Sequence, residues 1–223
     1  AMSLTPTEPA SDREDDVHAA RLSDAWNIRW FLDPIYGRGY PADLIEKLGM
    51  RPDVRDGDLE KIATPTDFLG VNYYFREVIA SDPHDTLLGA RGVHQAQSKF
   101  TGMDWEIHAD GLYRLLHRIQ RDYSPQQMFI TENGSAWNDE VVRGEVHDKS
   151  RVRFFEEHID AVQRARREGV PVDGYFAWSL LDNFEWGFGY SKRFGLVHVD
   201  YDTLKRTPKY SAHWYRDFLA QNR

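Results

Sequence analysis

Short apolar runs alternate with longer amphipathic stretches along this chain, and that alternation restricts the fold more than any other feature. The runs are "DFLGVNYYF" (67–75), "QQMFITENG" (126–134) and "VDGYFAWSLL" (172–181). The opening residues, "AMSLTPTEPAS", read as the tail of another strand entering a proline-containing loop. Segments of helical periodicity separate and follow these runs at 12–32, 109–123, 148–169 and 210–222. Ser11 is placed to cap the first of them. Acids fill its first turn, and Val17, Leu22, Trp26, Ile28 and Phe31 form its expected apolar face. "PADLIEKLG" predicts a short helix that stops at Gly49, while Asp148 and Gly169 bound the long one as cap and stop. Strand followed by helix, repeated, means parallel βα units. The strands are continuous apolar runs, as expected when both faces of a parallel sheet are covered. Residues 76–108 form a long Gly-, Asp- and His-containing connection with room for a hairpin, and loops of that length are commonly functional.

Composition narrows the classes further. The 223 residues suit a single domain, 1–223, with a real core. A net charge of −8, with no basic block beyond "RARRE" at 164–168, argues against a nucleic-acid partner. The absence of cysteine excludes thiol chemistry and disulfide scaffolds and fits a cytoplasmic protein. No apolar run approaches the ~18 residues of a membrane span. No glycine-rich phosphate loop follows any strand, which disfavours a nucleotide site.

Polar and aromatic residues gather where the strands end. In a βα barrel that edge is the active face. Glu132 ends one run, with Asn133 offering an amide beside it and Gly134 a sharp exit. "WSLLDNFEWGFGYSKRFG" (178–195) follows the last run. There Trp178, Trp186 and Phe194 supply flat apolar faces, and Asp182, Asn183 and Glu185 supply acceptors, a combination that suits a pyranose. On these residues alone, Glu132 and Glu185 would form the carboxylate pair of a glycoside hydrolase.

"DFLGVNYY", "MFITENG" and "FAWSLLDNFEWGFGYSKRFGLVHVDYDTLKRTPKYSAHWY" together resemble family 1 glycoside hydrolases, the β-glucosidases and their relatives. The resemblance implies a (β/α)8 barrel of the TIM type and a retaining mechanism, with no metal or cofactor. It implies that Glu132 is the nucleophile and that Tyr74 orients it. It places Asn72 at the same subsite, Trp178 beneath the glycone, Glu185 and Trp186 on the outer sugar hydroxyls, Phe194 beside them and Trp105 towards the aglycone. Glu185 thereby becomes a specificity residue rather than an acid. One departure stands out: the family's acid/base lies in an Asn-Glu-Pro motif, and none occurs here. Glu8, in "TEP", lies in the segment resembling the loop after the fifth strand and is not assigned that role. The chain is therefore expected to hold barrel strands five to eight with their helices. Its expected partners are a β-glucoside and either the missing N-terminal half-barrel or a second copy of itself. The alternative expectation is a non-catalytic sugar-binding relic.

Overall fold

The computed structural model describes residues 1–222. Strands β1 (Met2–Ser3) and β2 (Thr7–Pro9) open the chain. They lead into helix α1 (Glu14–Asp24), a π-helical turn at Ala25–Arg29 and helix α2 (Trp30–Ile35). Helices α3 (Ala42–Leu48) and α4 (Asp58–Ile62) precede strands β3 (Leu69–Asn72), β4 (Glu77–Ser81) and β5 (Ala90–Gly92). Helix α5 (Ala109–Tyr123), strand β6 (Met128–Asn133), helix α6 (Lys149–Arg167) and strand β7 (Val172–Ala177) follow. Strands β8 (Val197–Val199) and β9 (Arg206–Pro208) and helix α7 (Tyr210–Gln221) complete the described residues.

The centre is a four-stranded parallel sheet in the order β1-β3-β6-β7. Its outer face carries Leu69, Val71, Met128, Ile130 and Val172 against Leu112, Leu115, Leu116 and Ile119 of α5 and Val162 and Ala165 of α6. Alternate residues point the other way. Phe129 lies on that inner face opposite Gly174, where a Cβ would meet the Phe129 ring at 2.5 Å. Phe129 also makes an edge contact with Phe68 at 5.1 Å. The inner face is not covered as the apolar runs had implied: Phe68 is 48% and Phe176 58% exposed. The connection 76–108 contains the anticipated hairpin, β4 pairing antiparallel with β5 while β4 pairs parallel with β2.

Several local expectations change. The first helix begins at Glu14, and Ser11 does not cap it; the Ser11 hydroxyl instead donates to Asp16 at 2.5 Å. The acids of its first turn, Glu14 to Asp16, are where the helix dipole favours them. Its buried side is Ala19, Ala20, Leu22, Ala25, Ile28 and Leu32, whereas Val17, Trp26 and Phe31 are exposed. The wider π turn at 25–29 shifts the helical phase, so a 3.6-residue period cannot be carried through it. Gly49 and Gly169 take the left-handed backbone of helix ends (φ +64° and +94°). Asp148 precedes α6 without capping it. Its carboxylate accepts from the Ser211 backbone N–H (2.8 Å) and hydroxyl (2.5 Å), and so serves the first turn of α7.

His158 on α6 sets an acid limit to the fold. It is fully buried, donates Nδ1–H to the Phe154 carbonyl at 2.8 Å and stacks on the Phe154 ring at 3.9 Å. Burial pushes its pKa down to about 4, so the folded chain holds it neutral. The unfolded chain binds this proton below about 6.5, so the stabilisation is complete above that value. It is lost as the pH falls towards about 4, a loss on the order of 3 kcal/mol. Urea unfolding at pH 7 and pH 4.5 should show a midpoint drop that His158→Gln reduces; an unchanged drop would remove His158 as its source.

Candidate active site

Parallel register brings the candidate residues together. Asn72 at the end of β3 sits opposite Glu132 near the end of β6. Two residues beyond β3, the Tyr74 hydroxyl donates to Glu132 Oε2 at 2.6 Å. Burial, then the hydrogen bond and charge of Glu132, push the Tyr74 pKa far upward, so the phenol stays protonated and keeps donating. Asn72 Oδ1 accepts from the Thr131 hydroxyl at 2.5 Å, which fixes its amide beside the carboxylate strand. Tyr73 points the opposite way into the core, where its hydroxyl donates to the His108 carbonyl at 2.7 Å.

Asn133 and Gly134 have different tasks from the carboxylate before them. Asn133 is completely buried: its amide donates to the Tyr73 carbonyl (2.7 Å) and its oxygen accepts from the Tyr175 hydroxyl (2.5 Å). It ties the ends of β3, β6 and β7 together rather than lining a site beside Glu132. Gly134 lies against the Trp178 carbonyl, where any Cβ would sit 1.8 Å from that oxygen. The Trp178 N–H in turn donates to the Asn133 carbonyl at 2.8 Å. The tight exit after Glu132 therefore reflects backbone contact with the neighbouring strand.

Two aromatic rings pack against Tyr74. Trp105 lies 5.2 Å from Tyr74 and stacks on Phe75 at 5.1 Å. Phe194 meets Tyr74 edge-on at 6.1 Å and is only 2% exposed, so it backs the cluster rather than offering a free face. Trp178 is half-buried at the end of β7. The following loop carries Glu185, half-buried, and Trp186, 83% exposed at the start of a single 3-10 turn. Burial and then the charge of Glu132 raise the Glu185 pKa, so the two carboxylates sense one another.

Two of the expected sugar-binding residues are engaged within the protein. Asp182 is buried and accepts from Arg193 (2.7 Å), Lys209 (2.7 Å) and the Gly195 N–H (2.9 Å). The Asn183 amide donates to the Ser179 hydroxyl (2.9 Å) and the Leu181 carbonyl (3.1 Å). Glu8 is held by Arg76 and Arg114, each at 2.5 Å. Sequence reading did not find the buried partners Asp139, Arg151 and Lys209, which share no motif in the chain.

A parallel βα sheet with a phenol-held carboxylate and flat aromatic faces at its strand ends has the make-up of a glycoside hydrolase. The comparisons with known proteins agree, and this chain belongs to glycosyl hydrolase family 1, whose family model matches residues 1–223. A 1,4-beta-D-glucan glucohydrolase of Thermotoga neapolitana is 44% identical over 219 residues, covering 96% of this chain and 49% of that protein. Beta-glucosidase A of Thermotoga maritima is 42% identical, covering 96% and 48%. The family 1 β-glucosidase structure from Thermotoga maritima superposes with a TM-score of 0.93 at 40% identity, covering 99% of this chain and 50% of that one. The chain thus spans about half the length of the relatives it matches.

Proposed function

We propose that this chain is the nucleophile-bearing half of a retaining β-glucosidase, comprising barrel strands five to eight. The observation that carries the reading is the 2.6 Å hydrogen bond from Tyr74 to Glu132 across two neighbouring strand ends. A phenol in that position orients the carboxylate and leaves its other oxygen free to attack. Glu132 attacks the anomeric carbon, the glycosidic bond breaks, and a covalent glycosyl-enzyme forms. Water then releases the sugar with retained configuration. Trp178 and Trp186 offer stacking faces and Glu185 an acceptor for the glycone hydroxyls. Asn72 lines the same subsite, Phe194 supports it from behind, and Trp105 flanks the aglycone. The β-D-glucoside class is supported by the relatives' names as beta-glucosidase and glucan glucohydrolase.

A retaining site also needs an acid about 5 Å from the nucleophile, to protonate the leaving oxygen. No Asn-Glu-Pro supplies one here, and Glu8 is committed to ion pairs with Arg76 and Arg114. The chain alone is accordingly inactive, or nearly so, on unactivated glucosides. The partner that completes it is an N-terminal half-barrel. The exposed Phe68 and Phe176 on the inner face and Leu180 beyond β7 support such docking, since burying the part of each that is still exposed contributes on the order of 1–2 kcal/mol.

The test uses a fluoroglucoside carrying a dinitrophenolate leaving group, which needs no acid to depart. The chain is mixed with the N-terminal half of a relative about 40% identical to it, and the product is read by mass spectrometry. One fluoroglucosyl unit on the peptide containing Glu132 is expected. No label, with sugar binding intact, would favour the non-catalytic relic; active homodimers would point to a second copy as partner.

A further inference from the structure

Outside the site, a largely buried chain of ion pairs links several loops. Lys209, at the start of α7, is fully buried and donates to Asp182 at 2.7 Å and to Asp139 at 2.6 Å. Asp139 also accepts from Arg151 at 2.7 Å, and Arg151 donates to the Ser135 carbonyl (3.2 Å) and the Arg193 carbonyl (2.7 Å). Arg151 also pairs with Asp148. Three carboxylates, of Asp139, Asp148 and Asp182, thus face three cations, Arg151, Arg193 and Lys209.

The placement of these residues is what matters. Ser135 and Asp139 belong to the loop that continues from Glu132. Asp182 and Arg193 stand at the two ends of the loop that carries Glu185 and Trp186. The Asp182 carboxylate closes the neck of that loop by accepting from Arg193, from the Gly195 N–H at 2.9 Å and from the Val199 N–H at 3.3 Å. Backbone hydrogen bonds add to the lacing: Trp137 N–H to the Arg193 carbonyl (3.2 Å) and Gly102 N–H to the Ala136 carbonyl (2.7 Å). Lys209 joins the Asp139 loop directly to Asp182, 70 and 27 residues away in the chain, beside the link that Arg151 makes from Asp139 to the Arg193 carbonyl.

We infer that Lys209, acting through Asp182 and Asp139, is a positioning residue that sets the sugar-holding loop of Glu185 and Trp186 in register with Glu132. This rests on the functional reading above. Charge balance and positioning can be separated by substitution. Lys209→Met leaves Asp139 and Asp182 short of a cation and costs stability whatever the role of the network. Lys209→Met combined with Asp182→Asn restores the charge balance yet leaves the neck unclosed.

The experiment measures inactivation by the dinitrophenyl fluoroglucoside in the completed barrel, for the wild type, Lys209→Met and the double variant. Thermal unfolding is followed in parallel. The double variant is expected to regain stability relative to Lys209→Met. It should still need about tenfold more inactivator for half-saturation, with the limiting inactivation rate little changed, as for lost binding that does not grow in the transition state. Faster amide exchange across residues 183–195, with 128–133 unchanged, should accompany it. A double variant that regains stability and binds the inactivator like the wild type would overturn the inference. So would a Lys209→Met variant that folds and binds normally. Absence of label on wild-type Glu132 would count against the functional reading, whereas the amide exchange of the loop would still test Lys209.

Discussion

Glu132→Gln will lower β-glucoside hydrolysis by the completed barrel by a factor of about 10^4 or more. The amide is nearly the same size as the carboxylate and can still accept the Tyr74 hydroxyl, so the fold and the aromatic cluster should persist. What is lost is the anionic oxygen that forms the bond to the anomeric carbon, and no neighbouring group replaces it. Glu185 is set in another loop, and burial still draws its carboxyl group towards the neutral form once the charge of Glu132 is gone. The check is steady-state hydrolysis of an aryl β-glucoside, with circular dichroism showing that the variant folds. Retention of a tenth of the wild-type rate would remove Glu132 from the role of nucleophile.

Gly134→Ala will destabilise the chain by about 3 kcal/mol or more. The added Cβ would lie 1.8 Å from the Trp178 carbonyl oxygen and 2.8 Å from its carbon. Both are backbone atoms, so no rotamer change relieves the contact. The ends of β6 and β7 must separate, which also strains the hydrogen bond from Trp178 N–H to the Asn133 carbonyl. Differential scanning calorimetry should show a fall of about 6–12 °C in Tm for a chain of this size. Gly92→Ala is the control, because nothing lies within 4 Å of the Cβ built there. Equal effects from the two substitutions would show that the close approach of Gly134 to Trp178 is not what requires glycine.

Much of the scaffold was legible because parallel strands buried against helices appear as continuous apolar runs. Those around Leu69, Met128 and Val172 became neighbouring strands, and the polar residues at their ends became neighbours in space. Proximity was legible only in part. Tyr74 and Glu132 are 58 residues apart, and only the resemblance to a family joined them before the fold did. Roles that depend on burial were not legible. Asp182, Asn183 and Glu185 read alike as acceptors, yet Asp182 closes a loop neck and Asn183 braces Ser179 and Leu181. Asn133 looked like a companion to Glu132 because it follows it, but strand alternation turns successive side chains to opposite faces. The π turn at 25–29 defeated a helical period extended over Trp26 and Phe31. The Asp139–Arg151–Lys209 cluster had no local pattern to betray it.

In the function proposed above, this chain contributes the nucleophile of a retaining β-glucosidase and a second half-barrel contributes the acid. Hydrolysis of an aryl β-glucoside measured for the purified chain alone, and again with an N-terminal half-barrel added, tests it most directly. Trace turnover at most is expected for the chain alone, with turnover on addition that is lost again in Glu132→Gln. Full turnover by the 223-residue chain by itself would contradict it.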